Sequence, residues 1–201
     1  MTRDISFFDD RAETWNEDNP VPRHKLIRML NLCDLNPGQK ILDVGTGAGR
    51  LIPLLLEYVG PEGRVCGLDP SEGMLSVARR RHSAANLSFV HCAAESIPLE
   101  DSSFHRVICY AVFPHFEDRD VALNQLVRVL KPRGVLAIAH TESRHTINSH
   151  HQSAGSQVAD DILPPAAEVA GLMRRQQLQV NRCIDCSDFF FVSGTKGATA
   201  G

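Results

Sequence analysis

The chain has 201 residues, 43% of them hydrophobic and 22% charged, with 21 basic against 24 acidic side chains and a net charge of −3. That length suits one domain with a real core, built without disulfides or a structural metal, and argues against a second folded domain. The balanced charge gives no support to nucleic-acid binding by counterion release, and no apolar run approaches the ~20 residues of a membrane span.

In chain order, Ser6 to Trp15 carries Phe7, Phe8 and Trp15 ahead of a helix beginning near Pro22. Lys40 to Val44 reads as the first strand, followed by a glycine-rich turn and a helix through about Tyr58. Arg64 to Leu68 is a second strand ended by Asp69, Pro70 and Ser71, and Ser71 caps a helix through Met74, Leu75, Val77 and Ala78. Leu87 to His91 and Arg106 to Ala111 are the third and fourth strands. Val121 to Leu130 has the three-and-four apolar spacing of an amphipathic helix. Lys131 to Gly134 reads as a turn into a fifth strand, Val135 to Ala139. Thr141 to Pro164 is polar and His-rich, Pro165 to Gln177 is helical, and Arg182 to Thr195 forms two antiparallel strands around Ser187 and Asp188. The tail Gly194 to Gly201 is expected to fray. Strands alternating with helices indicate a parallel α/β sheet. The first residues, Met1 to Asp4, have no signal-peptide apolar core, so the expected location is the cytoplasm.

Of the six cysteines, Cys33, Cys66, Cys92 and Cys109 lie singly in apolar segments and read as buried free thiols. Cys183 and Cys186 make a CxxC on a strand, where residues three apart face opposite sides, a poor geometry for chelation.

Asp43, Gly45, Gly47 and Gly49 fall in the run ILDVGTGAGRL, between a buried strand and a helix. Glycines allow a tight turn and a close approach to a ligand, and the helix start offers free N–H groups. The third position of a dinucleotide fingerprint is Arg50, so a nicotinamide reading lacks its packing glycine, and no Tyr-x-x-x-Lys pair supports it. Asp69, at the end of strand two, is placed either to accept two hydrogen bonds from ribose hydroxyls or simply to form the turn before Pro70.

ILDVGTGAG, VCGLDPSEGML, CAAESIPLEDSSF and LVRVLKPRGVLAIAH together resemble, in order and spacing, the motifs of class I S-adenosylmethionine-dependent methyltransferases, nearest the ubiquinone and menaquinone branch. The resemblance covers Lys40 to His140. It implies an α/β, Rossmann-like doubly wound sheet of seven strands, mostly parallel with the last antiparallel, and helices on both faces. It also implies a single domain over residues 1–201, with an N-terminal arm (1–21) and a candidate recognition segment (141–164). The implied cofactor is S-adenosylmethionine, leaving S-adenosylhomocysteine. Gly45, Thr46, Gly47 and Gly49 would pass by its methionine part, with Asp43 beneath the ammonium. Asp69 and Pro70 would hold the ribose, Met74, Ala94 and Glu95 the adenine, and Ala111 would approach the methionine end. One departure is His105, where such enzymes often carry Asp; its position reads as structural.

Methyl transfer is mainly an alignment problem, with proton removal where the acceptor needs it. After strand four the chain reads CYAVFPHF, an aromatic surround in which Tyr110 and His115 are candidate catalytic groups. Further on, His140, His145, His150 and His151 crowd twelve residues. If that segment is helical, Arg144, Asn148 and His151 share one face. Arg144 and Asn148 are then substrate candidates, with His140 or His151 as base. The alternatives are a metal site using His140, His145 and His151, a metal- or metalloid-containing acceptor, and a solvated polar helix. A catalytically silent cofactor-binding or interaction protein is the competing function. The expected partner is a small-molecule substrate, with no nucleic acid and no membrane span. A homodimer or partner protein completing the site is left open. The N-terminal aromatics either fold over the cofactor pocket or dock as core.

Overall fold

The computed structural model describes residues 5–155 and 157–198. The signal-peptide reading at Met1 to Asp4 and the fraying of residues 199–201 lie outside the described residues. Seven strands, β1 (Lys40–Val44), β2 (Arg64–Asp69), β3 (Leu87–His91), β4 (Phe104–Tyr110), β5 (Leu130–His140), β6 (Leu178–Cys186) and β7 (Phe189–Lys196), form one sheet in the order β3-β2-β1-β4-β5-β7-β6. All neighbouring pairs from β3 to β5 are parallel, whereas β7 runs antiparallel to both β5 and β6. This is the Rossmann-like architecture expected, with its one reversed strand supplied by the closing hairpin.

The sheet is buried on both sides because its central strands are apolar at successive positions, and alternate residues face opposite ways. Leu42, Val107, Cys109, Leu136, Ile138 and Phe190 enter one core with residues of α6 (Arg119–Val129) and α8 (Ala166–Arg175). Their neighbours Ile41, Ile108, Ala137, Ala139, Phe189 and Phe191 enter the other with α3 (Arg23–Asn31) and α4 (Ile52–Val59). The fifth helix, α5 (Glu72–Arg81), packs along β2 and β3, and the Ser71 hydroxyl caps it by accepting from Met74 N at 3.0 Å. Three short or peripheral helices complete the fold: α1 (Ser6–Asp9), α2 (Trp15–Asp18) and α7 (Arg144–Ser153).

Several boundaries differ from the sequence reading, among them β4, which starts at Phe104 rather than Arg106, and β6, which starts at Leu178 rather than Arg182. Lys131 to Gly134 is not a turn outside the sheet, because β5 begins at Leu130, pairs with Phe104, and crosses a register shift with Arg133 at φ 63°. Gly194 to Lys196 belongs to β7 rather than to a frayed tail. Ala111 falls just beyond β4, at φ 54°. None of the described helices is long and apolar enough to cross a membrane.

Candidate active site

The chain winds outward from β1 in both directions, first to β3 and then, through β4, to the far edge. The reversal leaves a crevice at the carboxyl ends of β1 and β4, where such sheets bind ligands. A cavity of about 940 Å³ occupies it, walled by the ends of β1, β2, β4 and β5 and by the N-terminal arm.

The glycine turn forms the cavity floor. Gly45 N and Thr46 N both donate to Leu68 O, at 2.8 and 3.0 Å, which ties the turn to β2. Gly45 sits at φ 67°, and a Cβ there would lie 2.3 Å from Val112 Cγ2, so this position admits only glycine without rearrangement. Gly49, at φ 82°, has a different reason. Its missing Cβ would lie 2.5 Å from the His82 ring, and the residue does not line the cavity. The expectation that Gly49 faces a cofactor is therefore corrected: it lets α5 pack under the turn.

Two carboxylates flank this floor. Asp43 is buried and accepts from Thr46 Oγ1 at 2.7 Å. Burial, with Asp69 nearby, pushes its carboxyl up to about 7. Asp69 accepts from Gly47 N at 2.8 Å and from Ser71 N at 2.9 Å, and burial raises it to about 6 despite both bonds. Each Asp69 oxygen has a lone pair beyond the backbone bond it accepts, which suits a diol. Pro70, Met74, Ala94, Glu95 and Ala111 also line the cavity. Glu95 has a second task, accepting from Glu117 N at 2.8 Å.

Arg50, which breaks the dinucleotide pattern, reaches the same cavity half-buried. It makes no hydrogen bond or ion pair among the described residues, and desolvation pulls its guanidinium below the usual value. An unmatched cation lining the same cavity as two carboxylates fits a zwitterionic ligand. The arm supplies the roof. Phe7, Phe8 and Trp15 stack edge-on, with Phe8 5.2 Å from the His115 ring, and all three line the cavity. Asp9 anchors the arm by accepting from Ser71 Oγ and from Gly73 N, the latter at 3.1 Å.

Tyr110, His115, His140 and His151 line the same cavity, with the His115 and His151 rings 4.8 Å apart. The Tyr110 hydroxyl is bonded to Thr141 Oγ1 at 2.9 Å, and burial raises its pKa. His140 is buried, and neither ring nitrogen has a partner. Burial, and then the nearby His115 and His151, push its pKa down to about 3, so it stays neutral at ordinary pH. That makes it suited to hydrogen bonding rather than to proton uptake.

The segment after β5 is helical, as the shared-face argument required, but all three residues bond to the protein itself and only His151 also lines the cavity. Arg144 Nε donates to Asp185 Oδ2 on β6 at 3.1 Å. Asn148 holds Leu163 through both backbone groups, at 2.8 and 3.1 Å. Neither lines the cavity, so their substrate roles are corrected to structural ones. His145 is exposed and also lies away from it. Among the described residues no three His, Cys, Asp or Glu side chains gather as a metal site, so the His140, His145 and His151 ligand set does not assemble. His105 accepts from Lys40 N at 2.9 Å at the far ends of β4 and β1, remote from the cavity.

Besides Arg50, the sequence signals neither Asp161, which joins the His cluster from a loop with no motif, nor Asp9 in the arm; neither has a local pattern that marks it.

Residues 42–138 match the profile of the methyltransferase domain family. The chain is 34% identical over 137 residues to a demethylmenaquinone methyltransferase of Bacillus cereus, covering 66% of this chain and 58% of that protein. It is 39% identical over 106 residues to a ubiquinone/menaquinone biosynthesis C-methyltransferase of Xanthomonas campestris, covering 51% and 42%. The chain thus spans about half the length of these relatives. Its fold is that of an Aquifex aeolicus SAM-dependent methyltransferase, with TM-score 0.74, 24% identity, and 91% and 97% of the two chains covered.

Proposed function

We propose that this chain binds S-adenosylmethionine and moves the sulfonium methyl group to a small-molecule acceptor, a reading supported by the match of residues 42–138 to the methyltransferase domain family. The observation that carries the reading is the pairing of two buried carboxylates, Asp43 and Asp69, with an unmatched Arg50 around one glycine turn. Asp43 takes the ligand ammonium and Arg50 its carboxylate, while Asp69 takes the ribose hydroxyls. Gly45, Thr46 and Gly47 bring the backbone close to the methionine part. Met74 and Ala94 form the apolar slot for the base, with Glu95 at its polar edge and Ala111 at the sulfur end.

Bound there, the sulfonium supplies an electrophilic methyl carbon. The protein's own contribution is to hold the acceptor in line and keep water out. The Phe7, Phe8 and Trp15 roof excludes solvent, and the histidine end of the cavity holds the acceptor. The cavity is large enough for both molecules together.

Calorimetric titration with S-adenosylhomocysteine tests the cofactor, with micromolar binding expected. Absence of binding, or binding of NAD instead, rejects the reading. A screen of hydroxylated, amine, thiol and metalloid acceptors for labelled methyl transfer tests turnover; tight cofactor binding with no transfer to any of them favours a silent binding protein.

A further inference from the structure

We infer that Asp161 is a positioning residue that fixes His115 as the proton acceptor for a hydroxyl-bearing methyl acceptor, whose second polar contact is His140. The inference rests on the methyltransferase reading and names the acceptor chemistry of the same site. Asp161 Oδ2 lies 2.6 Å from His115 Nδ1, and both side chains are nearly buried, at 11% and 14% exposure. A carboxylate can only accept, so Nδ1 carries the hydrogen and Nε2 is the basic nitrogen of the neutral ring.

The two residues are 46 positions apart, and the structure shows what joins them. Asn148 holds both backbone groups of Leu163, and Arg119 donates to Ile162 O at 2.6 Å. The backbone oxygen of Asp161 in turn accepts from His151 Nδ1. The His151 ring lies 4.8 Å from that of His115. One short stretch, 161–163, therefore sets the orientation of two cavity histidines. His140 adds two buried nitrogens without partners, an arrangement costly to leave unsatisfied unless a ligand meets it.

This combination discriminates among nucleophiles. An amine attacks as its free base and loses a proton to water afterwards. A thiol, with a pKa of roughly 8.5, ionises with little help. A phenol-type hydroxyl, at roughly 10, needs a base in the transition state. As the new O–C bond forms, the hydroxyl proton passes to His115 Nε2. The electron pair of the breaking S–C bond stays on sulfur, which becomes a neutral thioether. Asp161 balances the imidazolium, and His140 donates to or accepts from the acceptor's remaining polar group.

The test uses the full chain saturated with S-adenosylhomocysteine, with 4-nitrophenol as the probe because its absorbance reports ionisation. Wild-type protein should bind the probe as phenolate below the probe's own pKa. Asp161→Asn and His140→Phe should each weaken probe binding roughly tenfold or more, leaving S-adenosylhomocysteine affinity within about twofold. Asp161→Glu should recover part of the loss. Nitrogen NMR of the His115 ring should show the Nδ1–H tautomer in wild type and a shift toward Nε2–H in Asp161→Asn. Exclusion of the probe, its binding as neutral phenol, or an unchanged tautomer in Asp161→Asn overturns the inference. Failure of wild-type protein to bind S-adenosylhomocysteine is a separate result, and rejects the methyltransferase reading itself.

Discussion

Replacing Asp43 by Asn should stabilise the free protein and cripple its ligand binding. Asp43 is buried on β1, with one hydroxyl donor at 2.7 Å and a second carboxylate, Asp69, close enough to repel it. Its carboxyl moves from 3.8 in the open chain to about 7 in the fold. A raised carboxyl favours folding while protonated. That contribution is complete below 3.8 and is lost as pH rises through about 7. Ionising Asp43 in the fold at pH 8 therefore costs as much as about 4 kcal/mol. Asn keeps the shape and an oxygen for Thr46 but carries no charge, so the variant escapes this cost.

The melting temperature of ligand-free Asp43→Asn should exceed that of wild type at pH 8 by about 4–8 °C, if roughly half the cost is realised. The gap should narrow as pH falls toward 5, where wild-type Asp43 is protonated. Calorimetry with S-adenosylhomocysteine should show the reverse order. Wild-type affinity rises as pH passes 7, with proton release below it, whereas the variant binds at least about tenfold more weakly and without that pH dependence. A variant that melts lower than wild type at pH 8, or that binds S-adenosylhomocysteine with an unchanged pH profile, would refute the reasoning.

Gly45→Ala forces a left-handed alanine against Val112 and should cost at least about 2 kcal/mol in thermal melts, with S-adenosylhomocysteine affinity falling alongside. Gly49→Ala should destabilise comparably yet bind S-adenosylhomocysteine within about twofold of wild type, and adding His82→Ala should recover part of the stability, because the clash is with that ring. Asp9→Ala removes the acceptor for Ser71 and Gly73, so limited proteolysis should cut the arm faster while S-adenosylhomocysteine binds several-fold more weakly. Arg144→Ala breaks only a half-exposed pair with Asp185 and should leave stability within about 0.5 kcal/mol and ligand binding unchanged.

The sheet was legible because its signals are local. Alternation in β1, β4 and β5 sorts side chains between two cores, and Ser71 caps α5 three residues ahead of the amide it serves. The clustering of the glycine turn and both carboxylates around one cavity was legible for the same reason, since they lie within one βαβ unit, from Asp43 to Asp69. Two departures from the sequence reading have non-local causes. The Lys131 to Gly134 run has turn chemistry, yet β4 extends far enough to pair with Leu130 beyond it. Gly49 follows the spacing of its neighbours but answers to His82, which sequence separation hides.

The acceptor end obeys different rules. His115, His140, His151 and Asp161 come from four separate segments; His140 is placed by the end of β5, and the other three by side-chain bonds that reach the 161–163 stretch. Helical spacing put Arg144, Asn148 and His151 on one face correctly, but spacing cannot say which residue meets a ligand and which meets β6 or Leu163. This division has a physical consequence. The cofactor floor is built from backbone turns and strand ends shared with the core, so changes there strain the fold. The acceptor end hangs on a polar loop packed over the sheet, and exchanging its side chains leaves both hydrophobic cores intact. On the proposed reading, a domain built this way changes its acceptor largely by substitution between residues 141 and 163 while keeping one methyl-donor site, so the donor site would be readable from short motifs and the identity of the acceptor would not.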